Sequence, residues 1–267
     1  MGLTFKPYKQ NACCLCGSTE DLTGEHKIKA SALRAEFGAD RMVIGLDGNP
    51  SDQMKPVQGV KSKALRFTAR MCGSCNNART QGADREFDCF HQAARELMAK
   101  RGNPKLVFAD DRYRVGSDAY LNLFRYFAKL LCCQIAEIGA PRPLHMSRFA
   151  IGQSSANCVW LDVDEDWTYK QTSAEVGPHQ YAAHGGLVIY GDKKTGGANA
   201  FHSTLTVGSL RYIFFLRLNW LERLELRLGH RQFYDWCRKQ VQKSVEHPIA
   251  EADWFKLGLS IKEPSEK

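Results

Sequence analysis

An α+β fold is predicted for this 267-residue chain, and three features of the sequence predict it. Segments with helical apolar spacing occur at 84–98, 117–139 and 232–245. Short runs rich in β-branched and aromatic residues, several separated by glycine-containing turns, occur at 158–163, 187–190, 204–207 and 210–218. Two Cys-x-x-Cys pairs, 55 residues apart, precede all of these. The Arg101-Gly102-Asn103-Pro104 segment joins a helix stop to a turn, so the chain divides into residues 1–104, holding the cysteine pairs, and an α+β unit, residues 105–267.

Taken in order, residues 45–59 are rich in Gly, Pro and Asp and read as a loop, and the alternating run 64–71 suits a strand. The helix at 84–98 sets Phe87, Phe90, Ala94, Leu97 and Met98 on one face. Asp84 sits in its first turn as a cap, and His91 is a plain helix-face residue. Ser117 caps the next helix, which runs to Gly139 and is apolar nearly all round, as a helix central to a core must be. The acidic group Asp162, Asp164, Glu165 and Asp166 ends a strand and reads as a solvated turn.

Composition narrows the function. With 43% hydrophobic and 25% charged residues the chain is globular rather than disordered. Apolar runs are broken by charges well short of the ~20 residues a membrane span needs, and the lysine-dotted start has no secretory character. A soluble, cytoplasmic protein with no membrane partner is the expectation. The excess of 37 basic over 29 acidic residues favours a polyanionic partner, and residues 53–83 contain no acid at all but six Lys or Arg.

Of ten cysteines, five fall in two clusters, which in a reducing compartment signals metal rather than disulfides. Cys13 with Cys16 and Cys72 with Cys75 supply four soft ligands, and two such turns close a tetrahedral structural Zn²⁺ site. Cys14 competes with Cys13 for the first position, and the spacing prefers Cys13. A zinc shut in by four thiolates does no chemistry. It draws together what the cysteines flank, which is Glu25-His26 between the knuckles and Asn76 directly after the second. A carboxylate and an amide oxygen suit a hard ion such as Mg²⁺ or Mn²⁺, and an imidazole beside it can take a proton from water. Those are parts for cutting a phosphodiester.

Cys-x-x-Cys, then Leu22-Thr23-Gly24-Glu25-His26, then Cys-x-x-Cys-Asn76-Asn77 resembles the HNH (ββα-metal) endonucleases with a four-cysteine zinc, such as the phage junction-resolving type. The resemblance covers about residues 10–100. It implies a zinc-stapled ββα-metal nuclease unit in which His26 is the general base and Glu25 and Asn76 hold the catalytic ion. It also implies 5′-phosphate products, and a place in restriction or phage defence. Nucleic acid, DNA first, is then the partner, and Lys27, Lys63, Arg66, Arg70 and Arg79 flank the centre as candidate phosphate contacts. A double-strand break made with one site per chain would favour a homodimer. Two departures stand out: residues 66–69 supply no middle Asn to brace the His-bearing loop, and the insertion at 30–63 is long. The alternatives are a non-catalytic zinc-stabilised nucleic-acid-binding module and a zinc-stapled protein-interaction domain.

Overall fold

The structure is a computed structural model that describes residues 4–38, 42–46, 55–57, 59–166, 174, 181–192 and 194–246. Its elements run β1 (Phe5–Lys6), β2 (Leu22–His26), α1 (Ala30–Phe37), β3 (Met42–Leu46), β4 (Lys55–Val57), β5 (Arg66–Cys72), a π-turn (Ser74–Arg79), α2 (Gln81–Ala99) and α3 (Asp118–Glu137). Then follow β6 (Arg142–Pro143), α4 (Leu144–Ala150), β7 (Val159–Glu165), β8 (Tyr181–His184), β9 (Val188–Gly191), β10 (Ala198–Val207), β11 (Leu210–Arg217), α5 (Trp220–Gly229) and α6 (Arg231–Glu246). Helix and sheet are mixed, as the α+β expectation has it. No helix among the described residues is long and apolar enough to cross a membrane.

α3 organises the packing. The Ser117 hydroxyl accepts from Tyr120 N–H and caps its start, and Gly139 in a left-handed conformation follows its end. Its buried residues occur on every side, so it has no solvent face over most of its length. It lies against α2, α4, β5, β7 and β10. Phe87 of α2 stacks on Tyr126 at 4.1 Å between centroids, and Phe127 meets Phe214 of β11 at 5.0 Å.

The main sheet orders its strands β4-β3-β8-β10-β11-β7, with β9 beside the first half of β10 and β8 beside the second. All its pairings are antiparallel except β3 with β8. β2 and β5 form a separate two-stranded antiparallel pair, as do β1 and β6.

Several expectations need correction. The 45–59 stretch is not all loop, because its ends belong to β3 and β4, which pair with one another; 47–54 and 58 lie outside the described residues. The strand expected at 64–71 begins later, at Arg66, because Ser62 caps a short helical turn over Lys63–Leu65. Asp162 and Asp164 belong to β7 itself, and Lys105 pairs with both. His91 is more than a helix-face residue, since it is buried with Nδ1 2.7 Å from the Tyr212 hydroxyl. The division expected at 104 is not among these corrections, and one hydrophobic core contains residues from Phe5 to Val241, on both sides of it.

Candidate functional site

The sulfurs of Cys13, Cys16, Cys72 and Cys75 all lie within 4.8 Å of one another. Zn–S bonds of ~2.3 Å in a tetrahedron set neighbouring sulfurs ~3.8 Å apart. Cys16 and Cys72 stand at 3.6 Å, so the four can hold a structural metal ion such as zinc. Among the described residues this is the one group of three or more His, Cys, Asp or Glu side chains close enough to share an ion. The hydrogen bond from Cys75 draws the Cys13 thiol well below its ordinary value, against the burial that opposes it. Cys14 points elsewhere, its sulfur 3.6 Å from that of Cys133 on α3.

Local backbone chemistry builds both knuckles. Gly17 takes φ +83° while its N–H reaches Cys13 O, and Cys13 N–H reaches Ser18 O. At the second turn the Gly73 N–H reaches Asp21 O at 2.8 Å, and a Cβ there would fall 2.0 Å from Asp21 Oδ2, so any other residue would have to displace that carboxylate. The second knuckle runs straight into the π-turn, which Thr80 closes by donating its hydroxyl to Cys75 O.

The turn delivers Asn76 to β2. Its Nδ2 donates to Thr23 Oγ1 at 2.9 Å and to Gly24 O at 3.2 Å. Asn76 therefore braces the strand just before Glu25-His26, a task the sequence left without an owner. A register shift between Gly24 and His26 sets Glu25 alone against three residues of β5, so the irregularity lies on β5, opposite Glu25. His26 lies opposite Arg66, and its Nε2 is buried with no hydrogen-bond partner among the described residues. Burial holds the imidazole below its ordinary value; Glu25 opposes this, while Arg66, Lys129 and Arg34 reinforce it.

Glu25 has a partner the sequence reading missed. Its Oε1 accepts from Lys129 Nζ at 2.8 Å, and the same ammonium donates to Asp84 Oδ1 at 2.6 Å. Asp84 is accordingly no helix cap, and α2 starts without a side-chain cap. A signal existed, for Lys129 is the lone charge within 126–136, a run otherwise apolar or aromatic but for Gln134. Asn76 and Glu25 each turn one polar atom to the protein and keep an oxygen, Oδ1 and Oε2, that suits a hard divalent ion with waters filling its remaining positions.

The basic residues divide. β5 alternates exposed Arg66, Thr68 and Arg70 with buried Phe67, Ala69 and Met71, so both arginines lie on its outer face. They flank Gly24 across the strand pair, within 4 Å of where its Cβ would be. Lys63 and Arg79 are exposed nearby in sequence. Lys27 is engaged otherwise, 3.3 Å from Glu137 and over the Phe67 ring.

No family model matches the chain, and neither a curated protein nor a solved structure matches it.

Proposed function

We propose that the chain is a metal-dependent endonuclease of HNH type that hydrolyses nucleic-acid phosphodiesters, DNA first among them, with a zinc in its cysteine cluster. The buried, unpartnered Nε2 of His26 carries this reading. A buried ring nitrogen without a partner costs stability and calls for a reason, and beside Glu25 and the arginines of β5 a catalytic role supplies one. The lowered pKa keeps the imidazole neutral near pH 7, the form that accepts a proton.

In this reading His26 takes the proton of the attacking water. Arg66 and Arg70 hold backbone phosphates beside Gly24, and Lys63 and Arg79 extend the contact. Asn76 keeps β2 in register through Gly24 O. Glu25 and Asn76 hold Mg²⁺ or Mn²⁺ by their remaining oxygens; such an ion, when bound, stabilises charge on the phosphoryl and leaving oxygens. Lys27, tied to Glu137, orients the end of β2 instead of a phosphate.

One observation favours a non-catalytic nucleic-acid-binding module: Glu25 already has a cation in Lys129. Plasmid incubated with zinc-loaded protein and Mg²⁺ or Mn²⁺, beside His26→Ala, separates the two. Nicking by the wild type that falls roughly 10²- to 10⁴-fold in the variant at unchanged DNA affinity supports hydrolysis. Equal binding with no nicking by either protein establishes the binding module.

A further inference from the structure

Lys129 reaches the site from the central helix with none of its side chain exposed. Its ammonium is bounded by the Glu25 and Asp84 carboxylates and by the Tyr126 ring, 5.1 Å away. With two carboxylate oxygens at 2.8 and 2.6 Å, the group is an ammonium paired with two acids. Next to it, Lys29 pairs with Asp88 and donates to the Asp84 carbonyl. Three carboxylates thus face these two ammoniums, with the Arg66 and Arg34 guanidiniums acting on the adjacent His26.

We propose that Lys129 is a positioning residue that fixes Glu25 by one oxygen and, by sharing that carboxylate, weakens the hold of the site on a divalent ion. This rests on the reading of Glu25 as a ligand of that ion. The ion is then exchangeable, whereas the lysine is a permanent part of the fold. Two cations on one carboxylate repel, and the repulsion is strong where water is excluded. Neutralising the lysine frees Glu25 and Asp84 together for a dication.

The test is Mn²⁺ binding to the zinc-loaded full-length chain without nucleic acid, read from the paramagnetic resonance signal of free Mn²⁺. Lys129→Met should bind Mn²⁺ about tenfold tighter or more, and Lys129→Arg, which keeps the charge, should stay near the wild type. Glu25→Gln in the Lys129→Met background should abolish the gain. Asp84→Asn leaves the ammonium to Glu25 alone and should weaken binding about fivefold. Unchanged or weaker affinity in Lys129→Met overturns the proposal. Should that variant lose its zinc, Asp84→Asn decides, and an unchanged affinity there overturns it equally. A wild type that never nicks DNA removes the hydrolase reading while these affinities still judge Lys129; nicking with unmoved affinities does the reverse.

Discussion

Adjacent thiols at Cys13 and Cys14 show how much one residue's direction decides. Cys13 Sγ joins the metal cluster, while Cys14 turns into the core toward Cys133, which in turn contacts Met71. Cys13→Ala should therefore lose its zinc, whereas Cys14→Ala should keep about one zinc per chain and lose only the packing of one small side chain, roughly 1 kcal/mol. Elemental analysis with urea unfolding checks both, and zinc lost from Cys14→Ala alone would reverse the assignment. The four ligands were legible because Cys-x-x-Cys is a local pattern. Lys129 was visible as an anomaly, a charge inside an apolar helix, but its partners were not. Glu25 and Asp84 lie far from it in sequence, and only the packing of α3 on β5 and α2 brings the three together.

Helix α2 and strand β11 meet through a polar contact inside the aromatic core, His91 on Tyr212. Burial lowers His91 to about 4, against an ordinary 6.5. The unfolded chain therefore binds the proton more readily, so the histidine's contribution to stability is complete above about pH 6.5. It is lost as the pH falls toward 4, at up to ~1.4 kcal/mol per unit. Urea unfolding at pH 7 and pH 5 should show the wild type losing about 2 kcal/mol more than His91→Asn. His184 and His202, also lowered to about 4 by burial, keep a residual slope in the variant. An identical loss in both proteins would mean that folding leaves the affinity of His91 for a proton unchanged. Elements with long periodic faces, such as α2, α3 and α6, were legible from the sequence. β3 and β4 were not, because each is short, they border a Gly- and Pro-rich stretch, and β3 finds its parallel partner β8 far along the chain.

At the scale of the whole molecule, the turn at 101–104 is real, with Arg101 at φ +58°, yet contacts across it are numerous in kind. β3 pairs with β8, and α2 lies on α3. Arg142 donates to Leu15 O in the first knuckle, Glu225 accepts from the N–H groups of Thr4 and Phe5, and Lys129 holds Glu25. Residues 1–104 on their own would expose Phe87, Phe90 and Met71 and strand the Glu25 carboxylate without its cation. A zinc-loaded 1–104 fragment should thus bind metal through its four cysteines but show no cooperative thermal transition, while the full chain melts in a single one. Circular dichroism melts and amide proton dispersion of the two proteins test this directly. A fragment that unfolded cooperatively with native-like dispersion would show that the cysteine-stapled hairpin and α2 make a sufficient core by themselves, and that α3 only caps it. The single transition follows from α3: a helix buried on every side cannot keep one set of neighbours folded after the other has left.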